Sequence, residues 1–190
     1  ARAMVGGCIL RAHGVLGDAI AALDDPAYMV DDAAITTQTI VLDPASLSCV
    51  SKGWPNRANG ASWAIYKAAG LHHDSGFPAG ATHGLQNELD ACVVEYEDAA
   101  TPMTVVHVVG PKLQDYNLDA PEGAEALACA YGNVLSCLAA HVSYLERRGN
   151  AVASLSQAIH VRLLPISGGM NVGEFANAIP ALTFEALANA

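Results

Sequence analysis

Short runs of branched apolar residues alternate along the chain with segments whose apolar positions recur at helical spacing. "GCILRAHG" (Gly7–Gly14) and "TTQTIVL" (Thr36–Leu42) are rich in branched side chains and bounded by Gly, Asp and Pro, which predicts two strands. "GDAIAALDD" between them predicts a short helix. "ACVVEY" (Ala91–Tyr96) and "MTVVHVV" (Met103–Val109) are two more strands, and the turn-like "EDAATP" joining them is short enough to predict an antiparallel pair. "AIHVRLLPI" (Ala158–Ile166) is a fifth strand, and its mostly apolar pattern assigns it a central place in the sheet.

The longest helix runs from Glu122 to Arg148, where Leu127, Tyr131, Val134, Leu135, Leu138, Val142 and Leu145 form one apolar face. Pro121 and Glu122 suit its first turn; Arg147, Arg148 and Gly149 suit its last. "ASWAIYKAAG" predicts a second helix between Gly60 and Gly70, with Ala64, Ala68 and Ala69 leaving room for close approach. "EFANAIPALTFEAL" is a further helical pattern in which Pro180 suits a first turn, while Leu71 to Asp90 reads as irregular. Strands alternating with helices predict a three-layer α/β/α domain with a mixed central sheet, spanning residues 1–190 as one unit.

Composition narrows the function classes. A chain of 190 residues, 52% hydrophobic and 15% charged, has enough apolar surface for one core and shows no low-complexity tract. Nine Lys and Arg against nineteen Asp and Glu give a net charge of −10, which repels a phosphate backbone and argues against general nucleic-acid binding. Cys8, Cys49, Cys92, Cys129 and Cys137 are odd in number and contain no CxxC pair, which points to a reducing, intracellular and cytoplasmic setting. Charge or Gly interrupts the apolar stretches before the ~18 residues that a membrane span requires, so no membrane association is expected. No basic region precedes an apolar block at the start.

The stretch "LLPISGGMNVG" (Leu163–Gly173) carries no charge, although Arg162 and Glu174 flank it. Its Ser167, Gly168, Gly169 and Gly173 expose mainly backbone. In α/β sheets ligands bind beyond the carboxyl ends of strands, and N–H groups there hold an anion without Lys or Arg. By pattern alone, a loop that only turns the chain accounts for these residues equally well.

"IVLDPAS", "NGASWAIYKAAG", "VVHVVGP", the helix "EALACAYGNVLSCLAAHV" and "LLPISGG" follow one another in an order that resembles the macro domain, the ADP-ribose-binding fold, from about Ile35 to Leu187. The resemblance implies that Ser167, Gly168, Gly169 and Met170 form the diphosphate loop, with Gly168 in place of the usual Thr. Asn171 stands where an aromatic residue often lies near the distal ribose, and Gly60 matches the last glycine of the second phosphate-facing loop, whose companions Ala58 and Asn59 replace. "LGDAI" makes Asp18 the reader of the adenine amino group, with Asp32 as its rival. Where the family carries two asparagines around two small residues, this chain has Asp43 and Ser46. Ser46 retains one hydrogen bond, and Asp43 is the catalytic-base candidate or, directly before Pro44, a turn cap.

What the resemblance implies is binding of ADP-ribose or a related nucleotide diphosphate, free or on an ADP-ribosylated protein, with no cofactor. The alternatives are a hydrolase that removes ADP-ribose from proteins or from O-acetyl-ADP-ribose, and a degenerate domain kept for protein contacts. The remaining polar residues read more plainly. His72, His73, Asp74 and His83 fit no common zinc spacing, so no metal site is expected. His107 and His160 read as strand histidines with satisfied rings, Cys129 and Cys137 as small core residues, and Trp54 and Trp63, which flank "PNRANG", as packing residues by default, with cover for a ligand the alternative for one of them.

Overall fold

The computed structural model describes residues 2–5, 8–11, 39–71, 76–99, 102–147 and 160–189. Asp18, Asp32, the segment "GDAIAALDD" and the group His72, His73 and Asp74 lie outside the described residues. Strands β1 (Arg2–Val5) and β2 (Cys8–Arg11) pair antiparallel with each other. The main sheet contains β3 (Thr39–Ala45), β4 (Ala91–Tyr96), β5 (Met103–Val109) and β6 (His160–Arg162) in the order β4-β5-β3-β6. β5 and β6 run parallel to β3, and β4 runs antiparallel to β5, so the sheet is mixed. Its helices are α1 (Leu47–Ser51), α2 (Gly60–Ala68), α3 (Ala79–Gly84), α4 (Glu122–Arg147) and α5 (Ile179–Asn189).

The alternation of side chains along β3 and β5 builds the layers. Val41, Ala45, Val105 and Val109 face one way and pack with Val50 of α1, Ile65 and Tyr66 of α2 and Ala81 of α3. Ile40, Leu42, Val106 and Val108 face the other way, against Leu127, Tyr131, Val134 and Leu138 of α4 and Ala186 and Leu187 of α5. Each fully buried Val, Leu or Ile among them contributes roughly 1.5–3 kcal/mol by leaving water. The result is a three-layer α/β/α arrangement with the sheet in the middle.

Several expectations shift. The run Ala158–Ile166 is not the central strand: β6 covers only His160 to Arg162 and, among the described residues, pairs with β3 alone. Its apolar character has another cause. Leu163 and Ile166 enter the α4–α5 side of the core and Leu164 the α1–α3 side, so the segment is wedged between layers as a loop. β3 runs on through Asp43 and Pro44 to Ala45, past the turn expected there. Pro44 is tolerated because it lies beyond Val41, the last β3 residue paired with β6, where that side of the strand has no ladder to break. α3 forms inside the stretch expected to be irregular. Cys129 is exposed, while Cys137 is half-buried and donates to the carbonyl of Ala91 at 3.2 Å. By length and composition Glu122 to Leu145 is apolar enough to cross a membrane, contrary to the reading of interrupted stretches. In the fold, the apolar face of this helix lies on the sheet and α5.

Candidate functional site

Because β3, β5 and β6 are parallel, their carboxyl ends share one edge of the sheet, and three loops leave from it. The loop after β5 and the loop after β6 are locked together. Ser167 Oγ donates to the carbonyl of Pro111 at 2.5 Å, and the N–H of Gln114 donates to the carbonyl of Asn171 at 3.0 Å. Gly110 makes the first contact sterically feasible, since a Cβ there would lie 2.5 Å from Ser167 Oγ and 2.6 Å from Ile166 Cγ2. Gly173, at φ +52, makes the second feasible: a Cβ there would lie 2.6 Å from Gln114 Cα. Ser167 itself is held at φ 58, a conformation that a non-glycine residue adopts only when its surroundings impose it.

Within this clamp the backbone donors divide. The N–H of Gly168 is used, donating to the carbonyl of Pro165 at 3.3 Å. Those of Gly169, Met170 and Asn171 have no acceptor among the described residues. Gly168, Gly169 and Met170 are exposed, and Asn171 is half-buried. The Ser167 hydroxyl is buried and committed to Pro111. On the neighbouring loop, exposed Ser46 lies 3.0 Å from the Ser48 hydroxyl and caps α1 with its carbonyl, which accepts from Cys49 and Val50. Gly60, exposed and at φ +57, opens α2.

Asp43 is elsewhere. It is fully buried within β3, directly opposite His107 in the β3–β5 register. Three protein donors surround its carboxylate: Ser62 Oγ reaches Oδ1 at 2.6 Å, and Tyr66 Oη and His107 Nδ1 reach Oδ2, each at 2.7 Å. Tyr96 Oη completes the chain 2.8 Å from His107 Nε2. Burial, and then the Asp43 charge, push both Tyr66 and Tyr96 above the ordinary tyrosine range, so their hydroxyls keep their protons. The turn cap expected at Asp43 is corrected, since the residue lies within β3. A carboxylate without exposed surface and with both oxygens engaged organises the interior instead.

Ser62, Tyr66 and Tyr96 were not among the expected site residues, and His107 was expected only as a satisfied histidine, which it is. One signal was present: His107 is a polar residue inside an apolar strand, and such residues need partners. No protein-family model matches the chain, and no curated protein aligns with it significantly.

Proposed function

We propose that the protein binds ADP-ribose or a related nucleotide diphosphate, free or attached to a protein, at the carboxyl edge of β3, β5 and β6. The observation carrying this reading is the loop after β6, pinned by Ser167 to Pro111 and by Asn171 to Gln114, with the N–H groups of Gly169, Met170 and Asn171 left without acceptors among the described residues. Donors fixed in advance lose little freedom when an anion arrives, and they do so without a cation in an acidic chain. Gly60 at the start of α2 and Ser46 on the adjoining loop complete the proposed phosphate and ribose contacts, and Asp18 is the proposed adenine reader. Burial of Asp43 favours binding over ester hydrolysis, because its oxygens are closed to an attacking water. An intracellular, cytoplasmic setting belongs to the same proposal, in keeping with an odd number of cysteines.

Gly169→Val provides the test. A Cβ at Gly169 meets no heavy atom within 4 Å, so the protein fold should tolerate the side chain. Calorimetry with ADP-ribose is expected to show binding by the native chain and none by Gly169→Val, at an unchanged melting temperature. Full affinity in that variant refutes the backbone cradle. An ADP-ribosyl ester incubated with the native chain should remain intact; turnover would establish the hydrolase instead.

A further inference from the structure

Charge is unevenly distributed along the chain. From Pro44 to His73 there is no Asp or Glu, yet Lys52, Arg57 and Lys67 fall within that run; all nineteen acidic residues lie elsewhere. The fold gathers two of these cations at one ring. Arg57 Cζ lies 4.4 Å and Lys52 Nζ 5.2 Å from the ring centroid of Trp54, which is 39% exposed. The backbone fixes this meeting. The N–H of Trp54 donates to the carbonyl of Cys49 at 2.9 Å, buried Pro55 starts a 3-10 turn to Arg57, and the Arg57 N–H returns to the carbonyl of Trp54 at 3.1 Å. α2 packs against that turn and exposes Trp63 and Lys67, four residues apart and so on one helix face.

We propose that this surface docks an acidic segment of a partner protein, its carboxylates on Lys52, Arg57 and Lys67 and its apolar atoms on Trp54 and Trp63. Charge complementarity identifies the occupant. Two like charges held over a single ring repel each other until an anion lies between them, and Trp beside Arg is the composition of an interface centre. A short acidic peptide matches the extent of the patch. Duplex DNA does not: it presents one charge per ~1.7 Å of axis, so its backbone would run past three cations onto the acidic remainder of the surface. Because Lys52 and Arg57 take no part in the proposed diphosphate cradle, this inference stands independently of ADP-ribose binding.

The experiment is fluorescence anisotropy of a short labelled polyglutamate peptide titrated with the intact chain. Binding is expected, and it should weaken as salt rises from about 50 to about 300 mM, as for solvent-exposed charges. Lys52→Glu/Arg57→Glu should lose at least about ten-fold in affinity, while Lys112→Glu/Arg147→Glu, the same change in net charge at other exposed sites, should bind as the native chain does. Calorimetry should find the ADP-ribose affinity of Lys52→Glu/Arg57→Glu equal to that of the native chain. Should the charge reversal unfold the protein by circular dichroism, Lys52→Gln/Arg57→Gln takes its place with the same expectation. Absence of peptide binding, equal loss in the two double variants, or tighter binding of a single-stranded oligonucleotide than of the peptide would each overturn the proposal.

Discussion

Asp43 shows how much one buried side chain depends on its partners. An ionised carboxylate in the core is costly unless its lone pairs are engaged, and here Ser62, Tyr66 and His107 engage them. Removing the carboxylate strands three donors at once, whereas removing the Tyr96 hydroxyl affects only the far end of the chain. Asp43→Ala is therefore expected to lower unfolding free energy by roughly 3–5 kcal/mol and Tyr96→Phe by about 1 kcal/mol, read from urea denaturation. Equal losses would mean that the network is not centred on Asp43. The need for partners was legible at His107, which interrupts the apolar run "VVHVV"; at Asp43 it was not, because "IVLDP" reads as a strand ending at a turn. Which partners were chosen was legible at neither, because the sequence separation of 64 residues between Asp43 and His107 is bridged only by strand pairing.

Among the elements, the segment Leu163–Gly173 was legible in chemistry but not in form. Its lack of charge and its glycines marked it as backbone-rich, yet its apolar start reads equally as a strand or as a loop buried between layers. Tertiary contacts select the loop, since Leu163 and Ile166 pack towards α4 and α5 while Leu164 packs towards α1–α3. Gly110→Ala tests the clamp that holds it. The new Cβ would fall 2.5 Å from Ser167 Oγ, which can move aside only by giving up its bond to Pro111. The expected result is a loss of about 1–3 kcal/mol in stability, the usual cost of overpacking, together with weaker ADP-ribose binding. Unchanged denaturation curves would show that the two loops are not rigidly joined.

At the scale of the whole molecule, burial of ionisable groups makes stability depend on pH in the alkaline range. Burial pushes the Cys92 thiol from 9.0 up to about 11, and Tyr66 and Tyr96 are raised above 10.0 by burial and by Asp43. A group whose folded value is raised adds stability below its unfolded value and loses that contribution as pH climbs towards the folded one. Urea unfolding followed from pH 8 upward should therefore show stability falling from about pH 9, with the Cys92 share complete by about pH 11. Cys92→Ala should flatten the first part of that fall; an identical slope in the variant would assign the loss to general charge repulsion.

The periodicities of two and of about 3.6 residues determined the α/β class and the core face of α4, because these depend on which side chains avoid water within one local element, and the short link between β4 and β5 determined their antiparallel pairing. The order of the described strands, the pairing of β6 with β3, the burial of Asp43 and the joining of the two loops through Ser167 and Asn171 were decided by the tertiary structure alone. Each is a choice of partner between residues distant in sequence, and local periodicity carries no information about which distant residue will supply a missing hydrogen bond or fill a facing gap.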